Sequence, residues 1–337
     1  MAQQSLFGEQ KRLEKLSMLG DDLEKLNTVI NWEMFRPILN KAFAKDKRSN
    51  AGRPSYDVIL MFKILVLQRQ YNLSDDRTEF QIYNCRTFTR FLGLGEADNI
   101  PDAKTIWLFK DTLAKTKAIE KLFKKFNNYL EEKGVIGHSG TIIDATFVDA
   151  PKQRNNKEEN DQIKKGKVPE GWKNQPNKLA QKDIDGRWTI KNKETHYGYK
   201  DHAKVDLETK IVTDYKATPA NVHDSNVFEE FINETDKAVY ADGAYAGKKL
   251  PEYVKNCVME KGYRNKPLTE EQKKNNKEKS RKRARIEHVF ADMTNGMNGL
   301  ILRCKGIIRA SYNIGLTNLV YNFRRYCYLQ RRDTVTA

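Results

Sequence analysis

The hydrophobic pattern of this chain changes its period near residue 135, and no other feature limits the fold as strongly. Before this point, apolar residues recur every three or four positions, as in amphipathic helices. The clearest repeat comprises Ile119, Leu122, Phe123, Phe126 and Leu130. After it, short β-branched or alternating runs stand between glycine, proline and charged turns, which is typical of strands. These runs are Thr141 to Val148, Tyr197 to Val205, Ile211 to Ala217 and Ala238 to Ala241. We therefore predict an all-α domain over residues 1–135 and an α/β domain, a mixed sheet flanked by helices, over residues 136–337.

Local signals refine this prediction at two places. Ser55 precedes a run that is apolar nearly all round from Val58 to Leu67, so we expect it to cap a buried helix. His202, Lys204 and Asp206 alternate with apolar residues, which predicts a strand with one solvent-exposed face.

Residues 151–195 interrupt the strand pattern with lysine, asparagine, glutamine and aspartate. We interpret this segment as a long, basic, partly flexible inserted loop, held in place by Trp172 and Trp188.

The chain is strongly basic: it has 61 Lys and Arg against 45 Asp and Glu, a formal net charge of +16. Such a charge favours polyanion binding, because neutralised phosphates release their condensed counterions. A basic surface that is merely solvated is the alternative. The four cysteines lie far apart without a Cys-x-x-Cys pair, so we expect neither a structural zinc site nor a disulfide framework. The longest apolar run is too short to cross a bilayer, which favours a cytoplasmic protein without a membrane partner.

Two aspartates stand at the ends of apolar, strand-like runs, and a glutamate lies in a basic helical segment. Asp144 and Asp242 would converge if their strands are neighbours, and Glu287 on an adjacent helix would complete a set of three carboxylates. Phosphodiester cleavage by two divalent ions needs such oxygen ligands. Strand-terminal aspartates are also common turn formers, so this triad is a weak signal by itself.

The segment around Glu287 combines helical spacing with a high positive charge. Arg283 stands four positions before Glu287, on the same helical face, so we expect it to reach either a DNA phosphate or the glutamate. The neighbouring Arg281, Lys282 and Arg285 are candidate phosphate contacts, although a solvated helix is the ordinary meaning of such a run.

Six segments in this order resemble bacterial insertion-sequence transposases with a DDE catalytic domain, in the group conventionally numbered five and sister to group four. The segments are Asp144 to Pro151, Gln181 to Trp188, His196 to Lys200, Thr218 to Ser225, Tyr240 to Tyr245 and Arg283 to Glu287. The resemblance covers residues 55 to 326. It implies an RNase H-like sheet in which Asp144, Asp242 and Glu287 bind two Mg²⁺ ions, with Mn²⁺ as an alternative ion.

The resemblance also implies the partners: double-stranded DNA, both terminal inverted repeats and target, and a second copy of the chain in a homodimeric synaptic complex within the bacterial nucleoid. The group-four signature consists of Tyr, two residues, Arg, three residues, Glu, six residues and Lys. Only half of it is present: Arg283 and Glu287 match, whereas Ser280 replaces the tyrosine and Thr294 replaces the lysine. Arg303 or Lys305 is the expected substitute for the missing lysine.

Two further DNA contacts are predicted with alternatives. Tyr245 would stack on an unpaired base, or else pack in the core. Lys200 would approach a phosphate, or else be a solvated strand residue. For the whole protein, the alternatives to a transposase are a metal-dependent nuclease without strand transfer and a domesticated DNA-binding protein without catalysis.

Overall fold

The computed structural model describes residues 8–44, 55–95, 97–191, 193–297 and 300–336. The chain forms two compact units. The first comprises residues 1–112 and 323–337, and the second comprises residues 113–322. This division differs from the predicted boundary at residue 135, because the helix over residues 118–132 packs with the sheet and the end of the last helix packs with the first unit.

The first unit is helical, as its periodicity predicts. Its helices are α1 (Gly8–Leu19), α2 (Asp22–Val29), α3 (Arg36–Ala42), α4 (Val58–Gln70), α5 (Asp75–Asn84), α6 (Arg86–Leu92) and most of α7 (Ala103–Lys115). Helix α4 is buried along most of its length, as predicted. Its N-cap is Asp57 rather than Ser55: the Asp57 carboxylate accepts hydrogen bonds from the amides of Ile59 and Leu60. The negative charge of an aspartate directly before the first turn also interacts favourably with the positive N-terminal end of the helix dipole.

The second unit contains the sheet. Its strands are β1 (Thr141–Asp149), β2 (Arg187–Lys191), β3 (Glu194–Asp206), β4 (Val212–Pro219), β5 (Ala238–Tyr240) and β6 (Lys255–Asn256). Its helices outside the inserted segment are α8 (Ala118–Glu132), the short α12 (Ser225–Phe228), α13 (Glu270–Ala291) and the first part of α14 (Ile307–Thr336). The apolar repeat of α8 is buried, which confirms the amphipathic helix predicted there.

The strands form a mixed sheet in the order β2-β3-β1-β5-β6, with β4 also pairing β3. Strands β1 and β3 are antiparallel, whereas β1, β5 and β6 run parallel. Strands β2 and β4 share one edge of β3, β2 along its first part and β4 along its second. At Gly198, φ is +140° and a Cβ would lie 2.6 Å from the carbonyl oxygen of Val148, so only glycine permits this approach of β1 and β3.

Strand β3 corrects the prediction of a solvent-exposed face. His202, Lys204 and Asp206 are all buried, because both faces of β3 are covered within this unit. On one face, Asp201 accepts a hydrogen bond from Asn318 of α14. On the other, Lys204 pairs with Asp236 at 2.8 Å. In this strand, the alternation of polar and apolar residues therefore reflects polar side chains that are buried and paired, not a face exposed to solvent.

The inserted segment is more ordered than a long loop. It contains α9 (Lys157–Lys164), α10 (Glu170–Lys173), α11 (Pro176–Ala180) and strand β2. Trp172 is fully buried and donates to Glu159 at 2.6 Å, which confirms it as an anchor. Trp188 is 44% exposed and packs on the buried Tyr197, with 4.8 Å between ring centroids, so it holds the segment less firmly than Trp172 does. Among the residues that the structure describes, no helix is long and apolar enough to cross a membrane.

Candidate active site

The register of two parallel strands positions the first two carboxylates. Strand β1 pairs with β5 so that Thr141 lies beside Val239 and Ile142 beside Tyr240. Asp242 follows β5 by two residues, and its carboxylate accepts a hydrogen bond from the amide of Ala244 at 2.8 Å. The expectation that the strands bearing the two aspartates are neighbours is confirmed.

Helix α13 brings the third carboxylate to these strands. It packs against both β1 and β5, and its buried residues Ile286 and Val289 face the interior. Glu287 lies between them in sequence, so its side chain remains 59% exposed beside the strand ends. The helix begins with a capping box between Thr269 and Gln272, as its N-terminal sequence allows.

Arg283 connects two of the three carboxylates. Its guanidinium donates through Nη1 to Oδ2 of Asp144 at 2.6 Å and through Nη2 to Oε1 of Glu287 at 2.8 Å. The helical spacing predicted a contact with either Glu287 or a DNA phosphate, but it gave no sign of the contact with Asp144, which lies 139 positions away. The side chains of Arg283 and Asp144 are only 19% and 14% exposed, so this ion pair is largely shielded from water.

Burial controls the protonation of Asp144. Desolvation raises the pKa of Asp144 above its ordinary value, and the nearby charge of Asp242 raises it further. The amide of Ala145 and the guanidinium of Arg283 oppose this shift but do not cancel it. A further cation close to Asp144 would lower its pKa again.

The donor chemistry of the site fits a hard divalent ion. Asp144, Asp242 and Glu287 offer carboxylate oxygens, the ligands that Mg²⁺ prefers. Among the described residues, no three Asp, Glu, His or Cys side chains are close enough together to hold a metal ion. In the arrangement shown here, the positive charge between Asp144 and Glu287 comes from Arg283 instead.

Tyr245 lies beneath the carboxylates, in the core. Its ring packs on Phe228, with 5.1 Å between centroids, and the side chain is 1% exposed. This is the packing alternative of the sequence analysis, and a base could stack on the ring only if the core opened. The Tyr245 hydroxyl is buried without a hydrogen-bond partner, and burial and the charge of Asp144 raise its pKa.

Lys200 is not a solvated strand residue. Its ammonium is buried and donates to Asp224 at 2.7 Å and to the carbonyl of Val222 at 2.8 Å. Asp224 also lies 3.8 Å from Lys191, and its charge contributes to the raised pKa of Tyr245. The sequence analysis missed Asp224 as a partner. Its only signal was the segment Thr218 to Ser225, which contributed to the resemblance.

The remaining predicted DNA contacts lie on α13 and in the segment before α14. Arg281 is exposed, Lys282 donates to the Tyr240 hydroxyl at 3.0 Å, and Arg285 donates to the carbonyl of Leu207 at 2.7 Å. Leu302 donates its amide to the carbonyl of Asp149 at 2.9 Å, so the segment that bears Arg303 and Lys305 runs along the end of β1. Phosphate binding by these residues stays a prediction.

A mixed sheet with one aspartate on a strand and a second just beyond the adjacent parallel strand, together with a glutamate on a helix packed against both strands, defines a carboxylate-based α/β site. Residues 136–323 match the family model described as Transposase DDE domain, and the chain belongs to this family. Residues 11–112 match the model described as Transposase domain (DUF772), which ends at the boundary of the first compact unit. No solved structure matches the chain.

Proposed function

We propose that this protein is an insertion-sequence transposase of the group numbered five, which cuts DNA at transposon ends and transfers the strands into target DNA. The observation that supports the proposal is that Arg283 contacts both Asp144 and Glu287, while Asp242 lies near enough for its charge to raise the pKa of Asp144. Sheet order supports an RNase H-like fold, with three antiparallel strands followed by two parallel ones.

The three carboxylates would hold two Mg²⁺ ions, with Mn²⁺ as an alternative pair. Bound there, the ions would activate the attacking oxygen and stabilise the leaving oxygen. In the first step, a water oxygen attacks the phosphorus at the transposon end, the bond to the 3′ oxygen breaks, and a 3′-hydroxyl is released. In the second step, this hydroxyl attacks a target phosphodiester and releases a 3′-hydroxyl of the target.

The basic residues of this chain would hold the DNA. Arg281 and Lys282 are exposed on α13, on the helix that bears Glu287. The inserted segment and the region of Arg303 and Lys305 would add phosphate contacts. The helical first unit would recognise the terminal repeats or mediate homodimerisation, since synapsis of two ends requires at least two active sites.

One experiment separates this proposal from its alternatives. Purified protein is incubated with candidate terminal-repeat duplexes, Mg²⁺ and a supercoiled target plasmid. We expect both 3′-cut ends and plasmid-joined products. Cutting without joining would instead indicate a nuclease, and DNA binding without either product would indicate a domesticated, non-catalytic protein. The presence of all three carboxylates in the chain favours catalysis over that last alternative.

A further inference from the structure

We infer that Arg283 is a positioning residue that holds Asp144 and Glu287 in place before ion binding, and that a divalent ion must displace its guanidinium. This inference rests on the proposed function, because it concerns loading of the same carboxylates. It assigns Arg283 a role in the protein without DNA, in addition to any contact with a phosphate.

The first argument is the geometry of the guanidinium. Arg283 uses two different nitrogens for two carboxylates that belong to a strand and a helix, at 2.6 and 2.8 Å. The planar fork of arginine is suited to such simultaneous contacts, which a lysine ammonium reproduces less well. The arginine therefore fixes the distance between the carboxylates of Asp144 and Glu287.

The second argument is charge. Asp144 is 14% exposed, and its Oδ2 already accepts a hydrogen bond from the positively charged Arg283 at 2.6 Å. A divalent ion that used Oδ2 of Asp144 as a ligand would meet the Nη1 donor that already occupies this oxygen, and the two positive charges would repel each other. The guanidinium and the ion therefore compete for the same oxygen.

The third argument is that the guanidinium is incompletely satisfied. Its Nε atom is buried without a hydrogen-bond partner. A purely structural ion pair would be expected to satisfy this donor as well. Arginine has a long side chain, so Arg283 can leave Asp144 without any movement of α13, and its position on the face of Glu287 keeps it near a bound phosphate.

The test is Mn²⁺ binding to the full chain without DNA, measured by calorimetry and by the electron paramagnetic resonance signal of free Mn²⁺. The variants are Arg283→Gln and, as a matched control on the same helix, the exposed Arg281→Gln. We expect Arg283→Gln to bind Mn²⁺ at least about 5-fold more tightly than the wild type, the lower range of typical coupling between sites. Arg281→Gln should stay within about 2-fold of the wild type, as screening of an exposed charge implies.

Thermal unfolding provides a second measurement that does not depend on activity. In chelator, Arg283→Gln should unfold at a lower temperature than the wild type, because the carboxylates lose their cation. Saturating Mn²⁺ should reduce or reverse this difference. Arg283→Lys keeps the positive charge but not the planar guanidinium, so its Mn²⁺ affinity should be intermediate. This variant replaces Arg283→Gln in the test if the glutamine variant does not fold.

The outcomes are distinguishable. If Mn²⁺ binding is lost in Asp144→Asn but Arg283→Gln and Arg283→Lys bind no more tightly than the wild type, the inference about Arg283 is wrong and the proposed site stands. If Asp144→Asn binds Mn²⁺ as the wild type does, the proposed metal site is wrong, and the inference with it.

Discussion

Asp242 stands in line with Asp144 across two adjacent parallel strands. The register pairs Thr141 with Val239 and Ile142 with Tyr240, an offset of 98 positions, and Asp242 is 98 positions after Asp144. Asp242 lies just beyond the last residue of β5, and its carboxylate caps the helical turn that follows. The two aspartates therefore approach each other closely enough for the charge of Asp242 to raise the pKa of Asp144.

Removal of one charge from the triad should stop cutting and leave DNA binding nearly intact. We expect this for Asp144→Asn, Asp242→Asn and Glu287→Gln, because ion binding needs the carboxylates whereas DNA affinity comes mainly from Lys and Arg. Each should lose more than about 100-fold in Mg²⁺-dependent cleavage, as essential catalytic groups typically do. A residue whose variant keeps more than about a hundredth of the wild-type cleavage rate is not an ion ligand.

Arg283 and Arg281 should differ in the step that they affect. Arg283→Ala should slow cutting in complexes that are already bound, because its guanidinium lies among the carboxylates. Arg281→Ala should mainly weaken binding. Single-turnover cleavage at saturating protein compares the two directly, and equal rates would mean that Arg283 is only a phosphate contact.

The positive charge of α13 should be visible in the salt dependence of DNA binding. We expect the logarithm of affinity to fall linearly with the logarithm of salt concentration, and neutralisation of Arg281, Lys282 and Arg285 to reduce the slope by up to about 3 units. Fluorescence anisotropy with a labelled duplex measures this. An unchanged slope would exclude these residues as phosphate contacts.

Lys200 should contribute to stability through Asp224. Lys200→Met leaves a buried carboxylate without its partner and should lower the free energy of unfolding by about 3 kcal/mol. Lys191→Met is the matched control: Lys191 is 47% exposed and 3.8 Å from the same carboxylate, so the loss should be below about 1 kcal/mol. Urea denaturation measures both. Unchanged stability of Lys200→Met together with weaker DNA binding would instead support the phosphate contact.

Asp201 should make stability depend on pH. Burial raises its pKa from 3.8 to about 7, opposed by the hydrogen bond from Asn318. The folded state therefore binds this proton more tightly than the unfolded state. The contribution of protonated Asp201 to the free energy of unfolding is complete below pH 3.8 and is lost as the pH rises to about 7. The contribution should change by about 1.4 kcal/mol per pH unit in that interval.

Asp201→Asn should remove this slope, whereas Asp149→Asn, at an exposed position of the same sheet, should retain it. Denaturation at pH 4, 5, 6 and 7 measures the difference. Identical profiles for wild type and Asp201→Asn would show that the carboxyl is not protonated in the folded protein.

The amino-acid sequence by itself determined the features that depend on neighbouring residues. The repeat of Ile119 to Leu130 predicted α8, and the apolar runs before Asp144 and Asp242 predicted strands. The four-residue spacing of Arg283 and Glu287 predicted a contact of Arg283 with either the glutamate or a DNA phosphate, and the contact with the glutamate is present. Helical and strand periodicities are local properties, so they can be recognised without the fold.

Tertiary structure decided which side chains meet. The three carboxylates are separated by 98 and 45 positions, and only the parallel register of β1 and β5 and the packing of α13 bring them together. The same long-range packing buries Tyr245 and Lys200, covers both faces of β3 and places Arg283 on Asp144. Burial and pairing of a polar residue depend on elements distant in the chain, so the local pattern around His202 and Lys204 was misread as a solvent-exposed face.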